Sequence, residues 1–360
     1  MKIHLLFFCL LLISRLDVPA QQNTSDGPYV FYKDDSVTVQ SIFNGTVRTE
    51  SFLEEQKSKH LLAVHFSDHP DWDFTVTIKA KIKDEDCVFP GADKLIAFSD
   101  IEGEFGPFRE MLIKNHVTDE HYRWIFGKGV LVIAGDLFDR GKDVAAYIWL
   151  LYKLEVEARA AGGYMHIVLG NHEIMNLSGD TRYVEKRYFD NAQLMGKEYT
   201  DFYTRDTELG RWLRSKNIVE KIGDVLILHG GISQAVNNLG IELFDINQSC
   251  RPYYDGSMQK ENFTDDKIWT FFDDRTSPFW YRGYFLDPKA SMAQVDSTLA
   301  LYQCGHIIVG HDITDHISTL YNNKVIGIDV NEHDGQAEGL LIENGVYFRI
   351  DRTGNKTRLF

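Results

Sequence analysis

Cysteine, positive charge and long apolar runs are all scarce in this chain. Four cysteines in 360 residues are too few for a disulfide-built scaffold, and their spacing matches no metal site. Cys87, Cys250 and Cys304 allow one disulfide and one free thiol, and nothing in their spacing selects the pair. None sits in a phosphate-cradling loop, which argues against a cysteine nucleophile. Lysine and arginine number 38 against 53 acidic residues, a formal charge of -15. That balance repels a nucleic-acid backbone, so no general DNA or RNA partner is expected. No segment beyond the N-terminus is apolar enough to span a bilayer. The one long run, Leu5 to Ile13, is too short for a span. With Lys2 before it and Val18-Pro19-Ala20 after it, the run reads as a secretory signal over 1–20, cut before Gln21. Export to a periplasm or to the outside is the expectation. Internal repeats and low-complexity segments are absent.

What remains is an ordinary globular composition, 44% hydrophobic and 25% charged, enough for one large core with a small attached module. The spacing predicts a β module over 21–90, with strands at Tyr29–Tyr32, Val37–Val39 and Phe74–Ile78 and a turn at Asn44-Gly45. The main domain is expected over 91–351, followed by a tail over 352–360. Five short apolar runs dominate it: Leu95–Phe98, Val130–Ala134, His166–Leu169, Val225–Leu228 and Ile307–Val309. Their length and β-branched content predict buried strands. Each ends in chemically able residues: Asp100, Asp136, Asn171 with His172, His229, and His311. Ligands in α/β sheets gather beyond the carboxyl ends of strands, so one shared site is implied. Helices are expected from Val144 to Leu154 and around Val295–Tyr302. Residues 178–216 form a long insertion, expected to overhang the site as a helical cap. Leu340–Ile342 and Val346–Phe348 flank Asn344-Gly345 as a closing hairpin.

Aspartate, an asparagine oxygen and imidazole together suit hard to borderline cations. Two adjacent cations activate water and clamp a phosphoryl group. Asp136-Leu137-Phe138-Asp139-Arg140-Gly141, Gly170-Asn171-His172-Glu173 and His229-Gly230-Gly231 resemble the signature blocks of calcineurin-like metallophosphoesterases, in their phosphoprotein phosphatase branch. The runs Met175–Val184 and Ser277–Gly283 further resemble the Shewanella-like protein phosphatases. The likeness covers about residues 94–350. It implies an α/β (α+β) fold, a four-layer β-sandwich flanked by helices. It also implies a phosphomonoesterase acting on a phosphorylated protein, peptide or small phosphate ester through a metal-bridged hydroxide, without a phospho-enzyme.

Carried over residue by residue, the resemblance makes Asp136 the bridge between two divalent ions. Asp100 holds the first ion, and Asn171, His229 and His311 hold the second. His172 protonates the leaving oxygen while Asp139 orients its ring, and Arg140 and Arg282 grip phosphate oxygens. Manganese is the favoured metal, with Fe, Zn²⁺ or Mg²⁺ as alternatives. One position departs from the family pattern. Asp100-Ile101-Glu102-Gly103 carries Glu102 where relatives have histidine, and an oxygen ligand there hardens the first site. A lone Asp at a strand end is more often a helix cap and a lone buried His a satisfied core residue, but the ordered set outweighs both. Glu104 is read as a solvated loop residue, and His306, His316 and His333 as bystanders. Two other readings stay open: a nucleotide pyrophosphohydrolase or phosphodiesterase on the same scaffold, and a non-catalytic phosphate-binding protein. A pure binder would have no use for His172 with Asp139.

Overall fold

The computed structural model describes residues 24–360 apart from Ser257, Glu332 and Asp334. The secretory signal expected over 1–20 lies outside the described residues. At the N-terminus, β1 (Asp26–Lys33), β2 (Ser36–Phe43) and β3 (Thr46–Leu53) form an antiparallel sheet, followed by the hairpin of β4 (Leu61–Val64) and β5 (Phe74–Thr77). Asn44 and Gly45 both have positive φ at the β2–β3 turn, the conformation that a two-residue hairpin needs.

The main domain continues as β6 (Val88–Phe89), β7 (Lys94–Phe98), α1 (Phe105–Lys114), β8 (Val130–Ile133), α2 (Val144–Ala160), β9 (Tyr164–Ile167) and α3 (Asn171–Ser178). Next come α4 (Lys186–Leu194), α5 (Glu208–Arg214), β10 (Val219–Ile222), β11 (Val225–Leu228), α6 (Gln234–Leu239), α7 (Leu243–Cys250), α8 (Asp266–Thr270) and α9 (Met292–Tyr302). The chain closes with β12 (His306–Val309), β13 (Ser318–Leu320), β14 (Val325–Gly327), β15 (Glu338–Glu343), β16 (Val346–Asp351) and β17 (Lys356–Arg358).

Two six-stranded sheets face each other, ordered β13-β14-β12-β11-β10-β6 and β17-β16-β15-β7-β8-β9. Alternation along each strand explains the sandwich. Leu95, Ala97, Val130, Val132, Val225 and Ile227 point between the sheets and share one buried cluster. Their neighbours Ile96, Phe98, Leu131, Ile133, Leu226 and Leu228 point outward into a second cluster. That outer cluster includes Phe108 and Leu112 of α1, Ile148 and Leu151 of α2, and Val295 of α9. The N-terminal strands join this outer core through Tyr29, Val37 and Val76.

Two expectations need correction. Cys87, Cys250 and Cys304 are all free thiols, each buried, so no disulfide forms among them. The 178–216 segment does not lie over the site along its length. Its first residues reach the centre, where the Tyr183 ring stands 5.3 Å from that of His172, and Tyr199 reaches it indirectly by donating to Asn176 Oδ1. Beyond its first residues the segment turns under the N-terminal sheet. Tyr29 stacks on Phe202 at 3.7 Å, Asn191 Nδ2 donates to Asp26 Oδ2 at 2.8 Å, and the Tyr32 hydroxyl donates to Glu208. Five aromatic residues between 188 and 203 are too large an apolar load for an exposed cap.

Candidate metal centre

The strands β7, β8 and β9 are adjacent and parallel, as are β11 and β12. Their carboxyl ends therefore open on one edge of the sandwich. Asp100, Asp136, Asn171, His172, His229 and His311 all lie just beyond those ends and all are buried. The loops that carry them are strained. Asp100, Glu102, Asp136, Asp139, Arg140 and His311 have φ between 46° and 76°, a region that costs a non-glycine residue energy and clusters at functional sites. Glycine is needed where loops cross closely: a Cβ at Gly170 would collide with the Asp136 carboxylate, and one at Gly310 with Ser99 and Asp100.

Polar atoms converge on Asp136. His229 Nδ1 faces the Ala134 carbonyl at 2.7 Å, which turns Nε2 to the centre. There Nε2 lies 3.0 Å from Asp136 Oδ2, 3.1 Å from Asn171 Oδ1 and 3.9 Å from Asp100 Oδ1. Donor atoms of Asp136, His229 and His311 lie within 4.8 Å of one another, and so do those of Glu102, Asp136 and His172. His311 Nε2 meets the Trp280 carbonyl at 3.2 Å.

The electrostatics suit a cation. Burial pushes the Asp100 carboxyl up to about 6. Burial works the same way on Asp136, yet the His229 and His172 rings hold it well below the usual range. Burial disfavours a charged His229, but Asp136 and Asp100 overcome it and raise the imidazole to about 10. His311 is driven well down by burial and by the neighbouring His229 and Arg282. The carboxylates thus demand positive charge at one point, and a divalent ion can meet that demand in place of a proton. The oxygen and imidazole donor set fits such ions.

His172 is set differently. Its Nδ1 lies 2.6 Å from Asp139 Oδ2, while Nε2 stands 3.7 Å from both Glu102 Oε1 and Asp136 Oδ2. Asn176 Nδ2 holds Asp139 Oδ1 at 3.0 Å, and the Tyr199 hydroxyl donates to Asn176 Oδ1 at 2.6 Å. The ring is thus oriented by a chain of partners ending in the 178–216 segment.

Arg140 and Arg282 are half-exposed at the rim. Arg140 pairs with Glu102, and Arg282 Nη1 donates to Asp312 Oδ1 at 2.7 Å and to the His311 carbonyl at 2.9 Å. Glu102 is buried and reaches the centre, but its carboxylate is shared: Oε2 lies 2.6 Å from His333 Nε2. His333 also meets Glu104 Oε1 through Nδ1 at 3.1 Å. His333 is therefore no bystander and Glu104 is not merely solvated. By contrast His306 pairs with the Asn323 carbonyl and His316 with Glu338, both away from the centre.

Sequence reasoning gave no role to Glu173 or Asp312. Glu173 is completely buried and accepts the main-chain N–H groups of Gly170 at 2.7 Å, Asp136 at 2.9 Å and Leu137 at 2.6 Å. Burial, then the Asp136 charge, raises it to about 7. The signal was its place in the Gly170–Glu173 block, three residues into a helix start. Asp312 had only its position beside His311.

The model of the family described as calcineurin-like phosphoesterase matches residues 94–315. The chain is 26% identical over 302 residues to Shewanella-like protein phosphatase 2 of Arabidopsis thaliana, covering 70% of this chain and 74% of that protein. It is also 26% identical over 248 residues to Shewanella-like protein phosphatase 1 of Plasmodium berghei, covering 66% of each. Among solved structures, the cold-active protein-tyrosine phosphatase of a psychrophilic Shewanella species superposes with a TM-score of 0.84 at 35% identity, over 93% of this chain and 99% of that one. A symmetrical bis(5'-nucleosyl)-tetraphosphatase of Buchnera aphidicola is 31% identical, over only 38% of this chain and 43% of its own. With its metal-fitting centre at the strand ends, the chain belongs to the calcineurin-like phosphoesterase family and is a metal-dependent phosphatase.

Proposed function

We propose that this phosphatase removes phosphate from protein or peptide side chains, works with Mn²⁺, and acts after export. One observation carries the substrate class. A groove of about 1120 Å³ opens beside Arg282, lined by Tyr183, Trp269, Trp280 and Tyr281 with Asp273 and Arg275 among them. It is larger than a small phosphate ester fills, and its aromatic and charged lining suits an extended peptide. The relatives named above, protein phosphatases among them, agree with this reading.

When bound, two divalent ions supply a water activated for attack and a clamp for the phosphoryl group. Asp136 would be shared by both ions in this reading, Asp100 and Glu102 would hold one, and Asn171, His229 and His311 would hold the other. His172 carries a proton on Nε2 for the leaving oxygen while Asp139 holds Nδ1–H. Burial disfavours the charged ring, but Asp136 and Asp139 raise its pKa, which keeps the acid form available. Arg140 and Arg282, each tethered on one side by a carboxylate, present their free N–H groups to phosphate oxygens. The preference for Mn²⁺ rests on the oxygen-rich first position that Glu102 creates, and the export reading on the Lys2–Ala20 segment.

The test is a substrate panel on metal-loaded protein: phosphotyrosyl and phosphoseryl peptides, p-nitrophenyl phosphate and a dinucleotide polyphosphate. Peptide kcat/KM should exceed that for p-nitrophenyl phosphate, and chelator should abolish turnover until Mn²⁺ is returned. Faster cleavage of the dinucleotide would transfer the assignment to the pyrophosphohydrolase reading.

A further inference from the structure

A second cavity, about 790 Å³ in volume, lies on the other side of the 178–216 segment, where α5, the start of the 80–84 connection and the residues after α7 meet. None of its lining residues belongs to the metal centre. In a chain of net charge -15 its walls are basic: Lys57, Lys81, Arg205, Arg211, Arg214 and Arg251 line it, against Glu54, Asp84 and Glu208.

The acidic residues offset only part of this charge, three carboxylates against six cations. Glu54 pairs with Lys57 at 3.1 Å. Glu208 accepts hydrogen bonds from the neutral hydroxyls of Tyr32 and Tyr152 and keeps its charge. Outside the lining, Asp255 is engaged by Arg205 at 2.7 and 2.8 Å. Arg214 and Arg251 are only 7% and 9% exposed. Part of each guanidinium is structural. Arg214 Nη1 donates to the Tyr203 and Gly210 carbonyls, and Arg251 Nε and Nη2 donate to the Arg214 carbonyl and to Asn217. Arg214 Nε and Arg251 Nη1 form ion pairs with Asp255 and Asp84, each at 3.6 Å, longer than a hydrogen bond, so among the described residues neither donor has a close acceptor. A ligand oxygen at hydrogen-bond distance would satisfy both donors better than these long pairs do. Lys81, exposed at the mouth, and Arg211, held over the Tyr32 ring at 3.9 Å, add charge with no carboxylate ion pair among the described residues.

We propose that this cleft is an oxyanion-binding site, remote from the phosphatase centre, that takes a phosphate- or sulfate-type group either free or carried on a peptide. Arginine forks suit tetrahedral oxyanions. The walls of the cleft are buried arginines fixed by main-chain carbonyls, a preorganised frame rather than a set of mobile surface side chains.

Sulfate groups resist a phosphatase and serve as probes. Binding of inorganic sulfate and of a tyrosine-sulfated peptide to metal-loaded protein would be measured by calorimetry at low salt. The comparison is wild type, Lys81→Glu with Arg211→Glu, and Arg282→Ala. The double variant should weaken binding by about tenfold or more while kcat/KM for p-nitrophenyl phosphate stays within about twofold, and Arg282→Ala should retain the site. Binding of both probes assigns the cleft to a free anion, and binding of the peptide alone to an anion presented on a chain. Lys81→Gln with Arg211→Gln covers the case in which charge reversal unfolds the protein. Unchanged binding in the double variant, loss only in Arg282→Ala, or no binding to wild type overturns the proposal.

Discussion

Glu173 accepts the main-chain N–H of Asp136 at 2.9 Å, so the loop that carries the central carboxylate is tied to the first turn of α3. The same side chain holds Gly170 and Leu137. Glu173→Ala leaves four buried donors, those of Gly170, Asp136, Leu137 and Phe138, without this acceptor and should lower stability by about 2–4 kcal/mol in denaturant unfolding. It should also weaken metal binding, since Asp136 loses its support. Glu173→Gln keeps an acceptor oxygen and should recover part of both. Equal stability of wild type and Glu173→Ala would show that the loop holds its shape unaided.

His172→Ala should lower turnover roughly 10²-fold or more, as loss of a general acid does, with metal content unchanged. Esters with good leaving groups need less protonation and should lose less. Asp139→Asn should show a milder version of the same pattern, because the ring loses its orientation at Nδ1. The comparison is kcat for p-nitrophenyl phosphate against an alkyl phosphate; equal losses on both would remove His172 from the acid role.

Arg282→Ala should weaken inhibition by free phosphate by about 1.5–3 kcal/mol, the worth of a charged hydrogen bond. The metals should remain, because the Arg282 side chain bonds to the His311 carbonyl and to Asp312 rather than to a donor atom of the centre. Inhibition constants for phosphate in both proteins decide it, and identical values would contradict the role.

Glu102→Ala should release one metal per chain and most of the activity while the second ion stays. Glu102→His should shift selectivity toward Zn²⁺. Because His333 and Arg140 both draw on the same carboxylate, His333→Ala should strengthen the first metal rather than weaken it. Metal stoichiometry by mass spectrometry on the three variants is the measurement. Two tightly bound ions in Glu102→Ala would reduce Glu102 to an anchor for Arg140.

Far from the centre, Glu155 lies 2.7 Å from Lys216 Nζ and 2.9 Å from Lys79 Nζ. Burial opposes its charge, but Lys216 and Lys79 overcome it and bring the carboxyl down to about 2 from the ordinary 4.5. A depressed carboxyl stabilises the fold above its unfolded value, and that contribution is lost as pH falls from 4.5 toward 2. The loss should be on the order of 3 kcal/mol. Glu155→Gln should be less stable than wild type at pH 7 and close to it at pH 2, by chemical denaturation. A constant gap across that range would mean that Glu155 does not titrate as stated.

The family, the five buried strands and the ordered Asp100, Asp136, Asn171, His172, His229 and His311 were legible in the sequence alone. Strand-length apolar runs and the residues that follow them are local signals, and a sheet edge gathers whatever follows its strands. The partners were not legible. Glu173, Asp312 and His333 touch their targets across 37, 30 and 231 residues of chain, distances that no local periodicity spans. The 178–216 segment shows the same limit. Its aromatic content was plain, but whether those rings would cover the site or the N-terminal sheet depended on which apolar surface lay within reach. Only tertiary packing supplied Tyr29 against Phe202. The basic cleft behind it follows for the same reason, since Lys81, Arg211 and Arg251 become neighbours only when α5, the 80–84 connection and the residues after α7 close on one another.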